Sequence, residues 1–393
     1  MPSLSITAPP PCDVAPEIWP FATLTVDHDA IAHNVGVLRA VAGVPVLAVV
    51  KADGFGLGMA RVARTALRAG AGALGVATVD EALRLRASGV TARLLAWLSD
   101  PHSDLGAAIR LGVELGCPSE RMLEEIAARA RVVGITARVH LEVDTGLSRG
   151  GADAADWAAL CRLAAEHERF GTLRVVGVWS HLARANEPHP SATASAVDAF
   201  RSAVTVATAA GLTPDVLHLA SSGAALAHPE TRFSLVRCGQ ALFGVQPVDG
   251  ERFDLRPALR LTSRIVQLRR VPAGTPVSYG GDYRTAAETV LALVPLGYAD
   301  GIPRSAGDTG EVSIRGHRCR VVGRVSMDQL IVDAGPVGRD VREGDDVVVI
   351  GDPALGEPGL DEWAHWAGTI PQEVMTGFGS RVIREHRGAV RVA

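Results

Sequence analysis

Between about residues 23 and 250, short apolar runs alternate with stretches in which apolar residues recur every three or four positions. The first pattern predicts buried strands and the second amphipathic helices. Val44-Pro45-Val46-Leu47-Ala48-Val49-Val50 is almost wholly apolar, as expected of a parallel strand covered on both faces. Segments 73–77, 93–98, 112–116, 138–143, 175–180, 216–220 and 234–237 also read as strands. Helical spacing fills 29–42, 59–70, 79–88, 120–130, 154–167 and 192–210. Strands alternating with helices imply right-handed βαβ units, and eight such strands close a barrel. After Gly250 the pattern changes. Segments 259–271, 290–295, 311–325, 329–333 and 345–350 are strand-like, with Gly and Pro at the turns. The expected architecture is an α/β fold. A (β/α)8 TIM-type barrel over residues 21–255 is followed by a mainly β C-terminal domain over 256–393.

Composition narrows the function classes. The 393 residues are 47% hydrophobic, enough for a sizeable core in each region. The formal net charge is −4 and no long basic run occurs, so nucleic acid is not an expected partner. No apolar run approaches membrane-spanning length. Residues 1–20 are proline-rich, lack the basic start and apolar centre of a signal peptide, and read as a disordered arm. Cys12, Cys117, Cys161, Cys238 and Cys319 are scattered, with no CxxC pair. They read as reduced thiols of a cytoplasmic protein, and no metal site is expected.

Barrel enzymes carry their chemistry at the C-terminal ends of strands. Lys51 closes the first apolar run and opens a turn containing Gly54, Gly56 and Gly58. A lysine that loses solvation has its ammonium form disfavoured, which frees the amine for Schiff-base chemistry. The glycines would let backbone approach a ligand. Arg149 follows the strand containing Glu142, and His181 closes the next. Ser221 and Ser222 follow the seventh, and Arg237, Gly239 and Gln240 the eighth. The last two loops commonly hold a phosphate in such barrels. Each residue also has an ordinary reading: His181 as a structural histidine, Arg149 as a surface ion-pair partner, the serines as a helix N-cap. Their common location favours a site.

Read together, Ala48-Val49-Val50-Lys51-Ala52-Asp53, Val143-Asp144-Thr145-Gly146 with Arg149, Ser180-His181, His218 with Ser222, and Val236-Arg237-Cys238-Gly239 resemble the alanine racemase family. Beyond the barrel the resemblance continues in Val277-Ser278-Tyr279-Gly280, Gly297-Tyr298-Ala299-Asp300-Gly301 and Gly323-Arg324-Val325-Ser326-Met327-Asp328-Gln329. It implies a pyridoxal 5'-phosphate enzyme that is a homodimer with shared active sites. By the resemblance, Lys51 forms a Schiff base with the cofactor and is one catalytic base. Tyr279 of the partner subunit is the base on the opposite face. His181 lies against the cofactor ring and Arg237 contacts its nitrogen. Ser222, Gly239 and Gln240 hold the phosphate. Arg149 and the backbone of Met327 meet the substrate carboxylate, and Tyr298 and Arg304 line the entrance.

Departures cluster at the same site. Phe55 and Gln372 stand where the family usually has tyrosines, and Glu142 where it often has a carbamylated lysine. Arg184 and Asn186 also differ from the expected residues. Glu142 is expected to orient Arg149 directly. The lost tyrosines lead us to expect a substrate other than, or broader than, alanine, with Arg184 meeting an acidic or polar side chain. A pyridoxal-phosphate decarboxylase of the same plan and a non-catalytic cofactor-binding protein remain alternatives.

Overall fold

The computed structural model describes residues 21–189 and 191–388, so the arm expected over residues 1–20 lies outside the described residues. Strand β1 spans Thr23–Asp27, and its last residue caps the helix that follows. The Asp27 carboxylate accepts the backbone N–H groups of Asp29 and Ala30, which starts the helix His28–Ala42. That helix ends at Gly43, whose φ of 66° is the left-handed conformation that glycine adopts freely.

Eight parallel strands then form one sheet: β2 (Val46–Val49), β3 (Ala73–Thr78), β4 (Leu94–Leu98), β5 (Glu114–Cys117), β6 (Ala137–Glu142), β7 (Leu173–Trp179), β8 (Val216–His218) and β9 (Val236–Cys238). Each pairs with its sequence neighbour, and β9 returns to β2. The remaining seam, between β8 and β9, is bridged by the N–H of Ser234 to the carbonyl of Leu217 and that of Arg237 to the carbonyl of Ala220. The result is the expected TIM-type barrel. Helices between the strands cover its outside, so residues of β2 are buried on both faces. This explains the unbroken apolar run.

The second region is mainly β, as expected. It contains β10 (Leu259–Arg264), β11 (Gln267–Val271), β12 (Pro276–Val277), β13 (Tyr283–Arg284), β14 (Thr289–Val294), β15 (Glu311–Ile314), β16 (His317–Arg320), β17 (Leu330–Asp333), β18 (Asp346–Ile350) and β19 (Ile383–Arg387). The six-stranded sheet runs β16-β15-β18-β10-β1-β19, and β11-β14-β17 form a second sheet. Strand β1 precedes the barrel in sequence but lies between β10 and β19 in this sheet. The stretch 259–271, which reads as one strand, is two. Ile265 and Val266 divide it, and β10 and β11 enter different sheets.

Candidate active site

Lys51 lies one residue beyond β2, after Val50, at the C-terminal end of the barrel strands. The chain there turns with the wrong hand. Ala52, Asp53, Gly54 and Phe55 have φ of 52°, 52°, 66° and 57°. Left-handed backbone costs an L-residue about 1–2 kcal/mol, and three of these four are not glycine. Hydrogen bonds offset the strain: Gly54 N–H to the Val50 carbonyl, Gly56 N–H to that of Ala52, and Ala52 N–H to Glu81 Oε1 at 2.6 Å. Asp53 accepts the Met59 N–H at the start of the helix Met59–Arg68. The turn's glycines were expected to admit a ligand. Instead they admit protein: a Cβ on Gly54 would meet Met59, one on Gly56 the Met375 carbonyl, and one on Gly58 the His386 ring.

The Lys51 amine lies 5.7 Å from the centre of the Trp97 ring. Burial, aided by the positive charge of Arg149, lowers its pKa, while Glu81 opposes the shift. More of the amine is therefore neutral than in an exposed lysine.

Arg237 is buried at the end of the barrel, 5% exposed. One terminal nitrogen donates to the His218 carbonyl at 2.8 Å and lies 3.2 Å from His218 Nδ1. The other donates to the carbonyls of Ser180 and Leu219 and lies 3.1 Å from His181 Nδ1. Among the described residues none accepts from its Nε. The guanidinium also stacks 4.9 Å from the Trp179 ring. Burial lowers the Arg237 pKa to about 10, which still leaves it a cation near neutrality. Burial and the cations of Arg237, Arg149 and Lys51 push His181 down to about 3, so its ring is neutral.

The two loops after β8 and β9 meet at Ser222, whose buried hydroxyl accepts the Gly239 N–H at 3.0 Å. Ser221 takes the N-cap position of the helix Ser222–Ala227 without a side-chain capping bond. Side chains are excluded here. A Cβ on Gly223 would lie 2.3 Å from the Ala185 carbonyl oxygen, and one on Gly239 would lie 3.0 Å from the Phe55 ring. Gln240 opens the short 3-10 turn Gln240–Phe243. The Phe55 ring packs 5.0 Å from that of Phe243.

Arg149 is exposed, and its loop is shaped by Asp144, whose carboxylate accepts the N–H groups of Gly146, Leu147 and Ser148. The expected Glu142–Arg149 ion pair does not form; Glu142 has no hydrogen-bond or ion-pair partner among the described residues. Its carboxylate instead faces Gly150. Burial raises its pKa to about 7, against the pull of Arg237 and Arg149. Arg184 is not free for a substrate either, because Glu187 binds it through two 2.5 Å contacts. Asn186 bonds to Asp249.

The remaining expected residues lie in the second region. Tyr279 is 71% exposed and sits between β12 and β13. Tyr298 and Met327 are exposed neighbours: the Tyr298 N–H donates to the Ser326 carbonyl and the Ala299 N–H to that of Met327. The Ser278 hydroxyl donates to the Arg324 carbonyl, so Tyr279 borders the same 323–327 segment. Arg304 is exposed in the turn Arg304–Ala306. Thus Lys51, His181, Ser222, Arg237 and Gly239 surround the barrel mouth, while Tyr279, Tyr298 and Met327 form an exposed patch on the other region.

Sequence reasoning missed Trp97, Trp179, Glu81, Glu114 and His140. Position at a strand end could have marked Trp97 and Trp179, but nothing local marks the others. Four cysteines, Cys117, Cys161, Cys238 and Cys319, are free and buried, and Cys12 lies outside the described residues. Among the described residues no His/Cys/Asp/Glu group could hold a metal ion, and no helix is long and apolar enough to cross a membrane.

Comparison with known proteins agrees with this fold. Residues 26–247 match the family described as alanine racemase, N-terminal domain, and 258–386 match alanine racemase, C-terminal domain. The alanine racemase of Salinispora arenicola is 46% identical over 368 residues, 93% of this chain and 98% of that protein. The crystal structure of alanine racemase from D-cycloserine producing Streptomyces lavendulae superposes with a TM-score of 0.92. It is 43% identical and covers 95% of this chain and 99% of its own. The alanine racemase structure from Bartonella henselae, with covalently bound pyridoxal phosphate, has a TM-score of 0.85 at 29% identity, over 93% and 99% of the two chains. This chain, by its full-length matches and by the residues gathered at its barrel mouth, belongs to the alanine racemase family.

Proposed function

We propose that the protein is a pyridoxal 5'-phosphate-dependent racemase that interconverts L- and D-alanine as a homodimer. The observation that carries this reading is the pairing of a half-buried Lys51, its pKa lowered mainly by burial, with a fixed arginine whose Nε has no acceptor among the described residues. The residues present fit the cofactor. Lys51 Nζ would hold it covalently, and His181 would pack on its ring as a neutral plate. Arg237 Nε would meet the ring nitrogen. The Ser222 hydroxyl and the backbone at Gly223, Gly239 and Gln240 would hold the phosphate, where Gly223 and Gly239 leave no room for a side chain.

When bound, the cofactor acidifies the Cα–H of an attached amino acid by spreading the charge of the deprotonated carbon. Racemisation then needs a proton removed from one face and one returned to the other. Lys51 Nζ serves one face and the phenol of Tyr279 of the partner subunit the other. Arginine keeps its own proton, so Arg237 stabilises the ring nitrogen without protonating it. Arg149, with no ion-pair partner among the described residues, would orient the substrate carboxylate with the backbone of Met327, and Tyr298 and Arg304 would border the entrance. The exposure of Tyr279, Tyr298 and Met327 in one chain supports the dimer, because a C2 interface would cover that patch.

Mixing chains tests this. K51A and Y279F homodimers should be inactive, whereas each hybrid contains one intact site of two, so a randomly reassorted equal mixture, about half of it hybrid, should recover about one quarter of wild-type activity. Absence of recovery, with hybrids demonstrably formed, would rule out a shared site. A second reading, a substrate range wider than alanine, rests on Gln372. Its Oε1 is buried without a hydrogen-bond partner, on a short helix packed over the Lys51 turn. A substrate hydroxyl could satisfy it. Chiral analysis of a serine and alanine panel with wild type and Q372A decides the matter: an unchanged serine-to-alanine ratio sinks it.

A further inference from the structure

Inside the barrel, a line of polar side chains runs away from Arg237. Arg237 contacts His218 Nδ1 at 3.2 Å, His218 Nε2 lies 2.8 Å from His140 Nδ1, and His140 Nε2 lies 2.7 Å from Glu114 Oε2. His218, His140 and Glu114 are 0%, 1% and 2% exposed. The far end is anchored by arginines. Arg93 Nε donates to Glu114 Oε2 at 2.8 Å, and Arg138 donates twice to Oε1.

We propose that Glu114 is a positioning residue for Arg237: acting through His140 and His218, it fixes the proton on one ring nitrogen of each histidine and thereby the direction in which Arg237 presents its Nε–H to the site. A guanidinium only donates and a carboxylate only accepts. A neutral imidazole has one donor and one acceptor nitrogen. With those ends fixed, a single arrangement satisfies every bond. Arg237 donates to His218 Nδ1, His218 Nε2–H to His140 Nδ1, and His140 Nε2–H to Glu114. Reversing it would set donor against donor at Arg237. The histidines are neutral, since burial lowers both pKa values. Burial raises the pKa of Glu114, but His140 and Arg93 outweigh that and hold it at about 2, so it is ionised.

The surrounding packing is built for this line. A Cβ on Gly177 would lie 2.1 Å from His140 Nδ1, so the neighbouring strand leaves the ring its space. The pairing of β6 with β7 shifts register between Val139 and His140. Trp179 lies parallel to His218 at 5.9 Å, with 5° between their planes, and fixes that ring too.

The consequence for the site rests on the cofactor reading above; the tautomers do not. E114Q keeps the shape but lets an amide N–H face His140, so only Arg237 is left to oppose reversal of the chain. Nitrogen-15 NMR of histidine-labelled holoenzyme should show His218 and His140 protonated at Nε2 in wild type. In E114Q it should show a mixture of tautomers. The same variant should lose roughly 10–100-fold in kcat with little change in KM, as outer-shell partners do, and should shift the pH profile of the cofactor's visible absorbance. E114D should restore the wild-type tautomers. Wild-type protein with the His218 proton on Nδ1 overturns the proposal, whether or not E114Q folds. So do unchanged tautomers with an unchanged pH profile in E114Q. Failure of wild type to take up pyridoxal phosphate would instead refute the cofactor reading, while the tautomer spectra still decide the chain.

Discussion

Replacing Gly223 with alanine tests the phosphate cradle directly. The added Cβ would lie 2.3 Å from the Ala185 carbonyl oxygen and 2.8 Å from that of Pro247. Ordinary contact begins near 3.4 Å, so the first pair must separate by about 1 Å. The carbonyl side is poorly placed to yield. The Asn186 carbonyl accepts the Asp249 N–H, and the Glu187 carbonyl is held by His228 Nε2. The start of the helix Ser222–Ala227 must therefore move. A shift of that size would break the 3.0 Å bond from Gly239 N–H to Ser222 Oγ. Overpacking costs about 1–3 kcal/mol and the lost bond about 1 kcal/mol more, so a loss of roughly 2–4 kcal/mol in stability is expected. Misplacing one charge-assisted bond to a phosphate costs about 1.5–3 kcal/mol, which is roughly a 10–100-fold weaker cofactor Kd. Spectroscopic titration of stripped protein with pyridoxal phosphate measures the second effect, and urea unfolding the first. G36A is the control: it sits in the helix His28–Ala42 with nothing within 4 Å of its added Cβ, and should raise stability by up to about 1 kcal/mol. If G223A binds the cofactor like wild type while losing stability, this helix start is not the phosphate site. If neither changes, the packing argument is wrong.

Two pH effects follow. The Glu142 carboxyl has its pKa raised by burial from 4.5 to about 7. The folded state therefore holds a proton that the unfolded state has lost, and wild-type stability should fall as pH rises from about 4.5 through 7. The upper bound is about 3 kcal/mol, less for a group that is not fully buried. E142Q should flatten that dependence in unfolding measurements, and a parallel decline in both proteins would contradict it. His28 titrates oppositely. Burial and His386, with Arg61 and Arg68, lower its pKa from 6.5 to about 4. Stability should fall as pH drops from about 6.5 toward 4, through loss of the 2.9 Å contact between His28 and His386. Thermal melting of H28Q should show a weaker dependence across that range.

The barrel was legible in the chain because buried parallel strands must be apolar on both faces, and β2 is buried at every residue. Lys51, Arg149, His181, Ser222 and Arg237 were legible as candidates because a charge or hydroxyl ending such a run has few other uses. Other features were decided only by tertiary structure. Periodicity reports that a face is covered, not what covers it. Strand β1 lies within the stretch read as the barrel but pairs with β10 and β19, more than two hundred residues away. Glu114, His140 and His218 lie on separate strands, and nothing near any of them in sequence announces the others. The same limit governs charge: Glu142 and Arg149 read as a pair and are not one, whereas Arg184 reads as free and is held by Glu187. Local sequence sets which groups reach a strand end; only three-dimensional packing sets the few ångströms that determine whether two of them interact, because electrostatic and hydrogen-bond energies fall steeply over that distance.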